Sequence, residues 1–309
     1  MKTIASAFAG MICSVFVTIG AAMSLALLDV RPAIAAEIDQ SAWDGLKQSE
    51  TLANGQRIAW VEMGPEDAPP LILLHGYTDT SRAWSLMAPE LARTHRLYML
   101  DLRGHGASAA PECCYALASF TYDLELFMEL QGIERAAVGG HSFGSLLAQR
   151  FAAEYPNRVE RLLLFGTTTA VVVAHGSPVS EGVRSLEERL DPAANEFLAA
   201  WLTQFDLPAI DREFARYARA DTLAVPLVTW RAVMDELTDS STARYAAAIE
   251  ASVLNVAGGR DEFFGPEHQA ALRASFPDGE YRLYPDLGHN MIYEAPDKIM
   301  PAVVRFLAG

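Results

Sequence analysis

The chain has 309 residues, 51% hydrophobic and 20% charged, which excludes a disordered chain and gives enough length for one large α/β domain or two small ones with a substantial core. Lys+Arg 24 against Asp+Glu 39 gives a formal net charge of -15, a field that repels phosphate backbones and anionic lipid, so no nucleic acid partner is expected. The three cysteines are too few for a disulfide framework, and no Cys/His spacing resembles a zinc or other metal site.

Met1-Lys2 is followed by an uncharged stretch over 3–28 and then by Asp29-Val-Arg31-Pro-Ala33-Ile-Ala35-Ala36-Glu37. One positive charge, an apolar run and small residues at A-x-A spacing are the parts of a secretory signal. Cleavage after Ala35 or Ala36 and a secreted or periplasmic mature protein, with no membrane partner, are therefore expected. The competing arrangement is an uncleaved anchor, because the run as a helix is long enough to cross a hydrocarbon core of about 30 Å. A lipid anchor at Cys13 fits poorly, since Ile12 precedes it instead of a small residue. Export would put the adjacent Cys113 and Cys114 in an oxidising compartment. Neighbouring Cα atoms lie about 3.8 Å apart, below the usual disulfide range of about 4.4–6.8 Å. A strained vicinal bridge and two ordinary loop thiols both remain open.

After a polar lead-in, 50–63 reads as two short strands joined at Asn54-Gly55, a dipeptide suited to the positive φ of a tight hairpin. Short apolar runs follow at Leu71-Ile-Leu-Leu74, Leu97-Tyr-Met-Leu100, Ala136-Ala-Val138, Leu162-Leu-Leu-Phe165 and Val253-Leu-Asn-Val256, with a weaker one at Tyr281-Arg-Leu-Tyr284. Helical patterns at 81–93, 116–130, 143–155, 266–275 and 296–307 separate most of them. Continuous apolar strands alternating with helices predict a mostly parallel sheet covered on both faces. Between Phe165 and Val253 the alternation breaks, and helix-like stretches occur at 183–190, 194–205, 211–218, 226–236 and 241–251. A structureless loop of that length is improbable in a compact domain, so a helical insertion above the sheet, a candidate lid, is expected.

Val138-Gly-Gly-His-Ser142-Phe-Gly144 follows a short strand and opens a helix, the context that gives G-x-S-x-G its meaning as a nucleophile elbow. The motif alone is common by chance. A sharp strand-to-helix turn would strain Ser142 and project it at the carboxyl edge of the sheet, with small residues at Gly140 and Gly144 admitting neighbouring backbone. The first amides of the helix would then point at a developing oxyanion. The alternative is a serine capping an ordinary helix.

With these residues in place, the sequence resembles the α/β-hydrolase superfamily from about Glu50 to Gly309. Leu74-His75-Gly76-Tyr77 looks like its oxyanion loop, Asp101-Leu-Arg-Gly-His-Gly106 like its D-x-R-G-x-G turn, and Tyr155-Pro-Asn-Arg-Val159 like its Y-P-x-R-V segment. The resemblance implies an α/β-hydrolase fold divided into a signal (1–36), a first core part (37–166), a helical cap (167–250) and a second core part (251–309). It also implies the order Ser142, Asp261, His289 for nucleophile, acid and base. His289 stands in Asp286-Leu-Gly-His289-Asn, like the family's G-H segment, and Asp261 in Gly258-Gly-Arg-Asp261 matches its G-x-x-D pattern. Of the other histidines, His75 and His105 belong to turn motifs, while His95, His175 and His268 have surface-like contexts. His141 adjoins Ser142 but is expected to point elsewhere. Carry-over from the family puts the oxyanion donors at the amides of Tyr77 and Phe143.

Trp84, Trp201, Trp230 and Met291 are candidate substrate-lining residues, although aromatics at helical spacing are more often core. A serine at the elbow argues against the aspartate-dependent dehalogenases and epoxide hydrolases of this fold. The resulting expectation is a cofactor-free serine hydrolase acting on a small-molecule carboxylic ester or lactone through an acyl-enzyme. Two alternatives stay open: a carbon–carbon bond hydrolase or haloperoxidase-like perhydrolase on the same triad, and a non-catalytic ligand-binding protein that keeps the fold.

Overall fold

A computed structural model describes residues 38–309; the secretory signal and Cys13 lie outside the described residues. The strands are β1 (Lys47–Thr51), β2 (Arg57–Met63), β3 (Pro70–Leu74), β4 (Arg96–Asp101), β5 (Ala136–His141), β6 (Val159–Phe165), β7 (Ser252–Gly258) and β8 (Glu280–Tyr284). They form one 8-stranded sheet in the order β1-β2-β4-β3-β5-β6-β7-β8. β1, β2 and β4 pair antiparallel, and every pairing from β4 through β3 to β8 is parallel. Gly55 turns the first hairpin at φ 83, with its amide on the Leu52 carbonyl.

Side chains alternate across β3: Ile72 and Leu74 enter one core, Leu71 and Leu73 the other. The first core is closed by helices α2 (Leu117–Leu130) and α3 (Phe143–Glu154), preceded in the chain by the one-turn α1 (Ala88–Leu91). Between β6 and β7 run α4 (Pro178–Arg184), α5 (Glu196–Leu202), α6 (Arg212–Ala224) and α7 (Leu227–Leu237), the helical segment anticipated there. After β7 come α8 (Pro266–Ser275), the short α9 (Met291–Glu294) and α10 (Pro296–Leu307), the last two closing the second core. Gly132, at φ 65, ends α2, and Pro156 follows the end of α3.

The stretch predicted as one helix over 81–93 is instead a 3-10 turn at Ser81–Trp84 followed by α1. Its Arg82 is only 1% exposed. The guanidinium reaches Asp221 of α6 (2.7 Å), the Gln40 carbonyl (2.7 Å) and Asp44 (2.8 Å), tying the helical segment to the chain ahead of β1. Arg82→Met would leave the half-buried Asp221 without its cation, and a loss of about 1–3 kcal/mol in urea unfolding is expected; no measurable loss would contradict that role. Cys113 and Cys114 are exposed free thiols, so the vicinal bridge is not formed.

Candidate active site

Proceeding along the chain, β4 lies to one side of β3, whereas β5, β6, β7 and β8 follow one another on the other side. The carboxyl ends of β3 and β5 therefore flank the point where strand order reverses, the usual ligand crevice of an open α/β sheet. Ser142 sits there, immediately after β5, at φ 51 and ψ -118, a backbone state that a residue with a Cβ rarely holds. The turn depends on glycine. A Cβ on Gly140 would lie 2.2 Å from the Gly144 carbonyl oxygen, and one on Gly144 would lie 2.2 Å from that of Leu74.

The three side chains singled out in the sequence meet at this edge. Ser142 Oγ lies 2.8 Å from His289 Nε2, and His289 Nδ1 lies 2.9 Å from Asp261 Oδ2. A carboxylate only accepts, so Nδ1 carries the proton and Nε2 is left to accept from the serine hydroxyl. The other Asp261 oxygen, Oδ1, accepts from the amides of Phe263 (2.9 Å) and Phe264 (2.8 Å). Burial alone would raise the Asp261 carboxyl, but the charge and hydrogen bond of His289 and those two amides outweigh it and hold it below the usual carboxylate range. Among the described residues, the backbone amides of Tyr77 and Phe143 have no acceptor.

Several flanking residues differ from their sequence-based expectations. His141 does not point away: its ring lies 5.1 Å from that of His289 and it lines the same cavity. Its Nε2–H donates to the His289 carbonyl (3.0 Å), bracing the loop that carries the imidazole. Burial, then the neighbouring His289, lowers its pKa to about 3, so it stays neutral. His95 is buried and bonded to Thr94, not at the surface. His75 and His105 brace turns as expected: His75 Nε2 accepts from the Leu102 amide, and His105 Nδ1 donates to the Arg103 carbonyl.

The cavity above Ser142 has ≈ 60 Å³ of free volume for water-sized groups. Val172, Val173, Val179, Met234 and Leu237 of the helical segment, with Trp201 and Phe263, form its apolar wall; Asp79, Gln204 and Asn290 are its polar members. Of the four predicted lining residues only Trp201 reaches it. Trp84 packs on Phe165 in the second core and Met291 is fully buried in that core. Trp230, also fully buried, stands behind the cavity wall, its carbonyl accepting from Tyr77 Oη (2.5 Å) and its ring against those of Tyr77 and Trp201.

Sequence reasoning missed Asp79. It is 9% exposed, yet burial, opposed by His289 and reinforced by Asp221, pushes its carboxyl up to about 7. The folded chain therefore holds a proton that the unfolded chain releases near 3.8, and stability drains as pH rises from there to about 7. Asp79→Asn is expected to raise the unfolding free energy above neutrality, by an amount on the order of a few kcal/mol, and to change it little at pH values near 4. Equal destabilisation at both pH values would mean that the carboxylate is a structural acceptor.

Residues 69–296 match the alpha/beta hydrolase fold family. The sn-1-specific diacylglycerol lipase ABHD11 of Mus musculus is 25% identical over 268 residues, covering 79% of this chain and 83% of its own. Among solved structures, a hydrolase from Pseudomonas aeruginosa PA01 superposes with a TM-score of 0.73 at 25% identity, covering 86% of this chain and 99% of its own. The enol-lactonase from Burkholderia xenovorans LB400 also gives 0.73, at 20% identity, covering 85% of this chain and 100% of its own, a likeness of fold.

Proposed function

Because the chain belongs to the alpha/beta hydrolase fold family over residues 69–296, we propose that it is a serine hydrolase cleaving a small carboxylic ester or lactone through an acyl-enzyme. The observation that carries this reading is the continuous hydrogen-bonded path from Ser142 Oγ through the His289 ring to Asp261, with links of 2.8 and 2.9 Å. A serine hydroxyl is barely ionised at neutral pH and needs such a base. His289 Nε2 takes the proton as Ser142 Oγ attacks the carbonyl carbon, and Asp261 holds the Nδ1 proton and stabilises the imidazolium. The Phe143 and Tyr77 amides, free of acceptors among the described residues, are assigned to the oxyanion. The imidazolium returns its proton to the leaving oxygen. Water, deprotonated by the same imidazole, then releases the acid and regenerates the serine.

The N-terminal charge, apolar run and A-x-A site support export and a secreted or periplasmic setting for this chemistry.

Cavity size supports small substrates. One water needs about 10–15 Å³ of such volume, so ≈ 60 Å³ holds only a handful of water-sized groups unless the helical segment moves. Across p-nitrophenyl esters, kcat/KM is expected to be highest for acetate to butyrate and to fall by roughly tenfold or more at decanoate. Hydrolysis of every ester is expected to vanish in Ser142→Ala. Equal turnover by that variant would overturn the serine assignment, and a maximum at long chains would overturn the small-substrate reading.

A further inference from the structure

Four aspartates are buried among the described residues, and three of them meet a basic side chain within 3 Å: Asp101 meets Lys47 (2.9 Å), Asp123 meets Arg103 (2.7 Å) and Asp261 meets His289 (2.9 Å). Asp79 meets none that close. Its nearest basic atom is His141 Nδ1 at 3.9 Å, too far for a hydrogen bond. That nitrogen has no proton to offer either, because the Nε2–H of His141 is given to the His289 carbonyl, and it is itself a buried atom without a partner.

The chain holds Asp79 in this costly position. Thr78 stands at φ 65, a left-handed conformation that a β-branched residue seldom adopts, and its hydroxyl accepts from Trp201 Nε1 (3.1 Å). One strained residue thus precedes the carboxylate in the chain and holds an indole by its hydroxyl, and both Asp79 and Trp201 line the cavity that contains Ser142. The Trp201 ring lies 6.0 Å from that of Phe263, which also lines the cavity. A carboxylate without a cation that shares a cavity with aromatic rings can accept an organic cation, by ion pairing and by attraction to the ring quadrupole. The net charge of -15 draws such a substrate toward the chain rather than repelling it.

Resting on the serine-hydrolase reading, we propose that Asp79 and Trp201 form a subsite for an ammonium group, so that the preferred substrates are small esters carrying a protonated amine. The cation supplies the countercharge that Asp79 lacks in the free protein; where Asp79 holds its proton, binding of the ammonium ionises the carboxyl and the proton leaves to solvent.

The test compares esters that differ only by ammonium against carbon. On the alcohol side these are 2-(dimethylamino)ethyl acetate and 3-methylbutyl acetate; on the acyl side, the p-nitrophenyl esters of β-alanine and butyric acid. Wild-type protein is expected to prefer the ammonium member of at least one pair by about tenfold in kcat/KM above neutral pH, mostly through KM. In Asp79→Asn that ratio should fall to near one. If Asp79 instead only assisted His289 electrostatically, the variant would lose rate on both members equally and the wild-type ratio would persist, which overturns the proposal; so would a wild-type ratio near one in both pairs.

A second measurement needs no variant at Asp79. The charged or titratable groups facing it are His141 of β5, His289 after β8, Asp221 of α6 and Tyr293 of α9. Protonation of His289 slows both members alike and cancels in the ratio, so the ammonium preference should fade as pH drops below about 7, where Asp79 takes up its proton. A ratio flat in pH contradicts the subsite. Calorimetric binding of the same pairs to Ser142→Ala reads the preference without turnover. If the neutral esters are hydrolysed but no preference appears, only this inference fails; if no ester is hydrolysed while the cation still binds, only the hydrolase reading fails.

Discussion

His289→Ala is expected to lower kcat/KM toward a short-chain p-nitrophenyl ester by about 10⁴-fold or more, with the loss in kcat. The imidazole is the group whose Nε2 lies 2.8 Å from Ser142 Oγ, and no other side chain is bonded to that oxygen among the described residues. Without it the hydroxyl has no acceptor for its proton, and what remains is binding and the two backbone amides. The fold should survive, since Asp261 keeps the amides of Phe263 and Phe264 on Oδ1. Steady-state kinetics beside a thermal melt checks both halves; a loss under about tenfold with an unchanged melt would remove His289 from the proton path. Asp261→Asn should cost a comparable factor, about 10⁴, because an amide at that place permits the wrong imidazole tautomer.

Gly144→Ala is expected to prevent folding or to lower stability by about 3 kcal/mol or more. Its Cβ would lie 2.2 Å from the Leu74 carbonyl oxygen and 2.5 Å from that of His75, both main-chain atoms of β3 and the loop after it. Neither can retreat without pulling β3 out of its pairing with β5. Gly265 supplies the control: its Cβ would meet nothing within 4 Å, and it has φ -66, so Gly265→Ala is expected to be neutral or to stabilise by about 0.4–1 kcal/mol. Urea unfolding of the two variants reads the contrast. Near-equal midpoints would mean that the close approach at the elbow is not required.

The central strands were legible because each is a short, unbroken apolar run that the sheet buries on both faces: Leu71 to Leu74 and Leu162 to Phe165 are almost wholly inaccessible. The elbow was legible because its chemistry and its backbone strain share one local motif. Helix limits in the insertion were less so. The pattern placed a helix over 183–190, whereas α4 spans Pro178–Arg184, started by Ser177 capping the Ser180 amide with Pro178 at the first position, a local signal that hydrophobic spacing overrode. The reading of 211–218 stopped short of the end of α6 at Ala224, just before Val225-Pro226. Lining residues were the least legible. Trp84 lies between oxyanion loop and β4 in the chain, but its 3-10 turn carries it into the second core against Phe165. Asp79 looked like one more loop carboxylate, because its burial and its lack of a cation depend on α6, β5 and the loop after β8 together.

Every step proposed for this protein requires Ser142 to be a hydroxyl activated through His289 and Asp261. Reaction of the folded protein with a fluorophosphonate, read by intact mass and peptide mapping, tests this most directly. One adduct per chain on Ser142 is expected, with the reaction slowed at least a thousandfold, about the scale of losing the base, in His289→Ala. An unlabelled Ser142 in folded wild-type protein, or equal labelling in the two proteins, would contradict it.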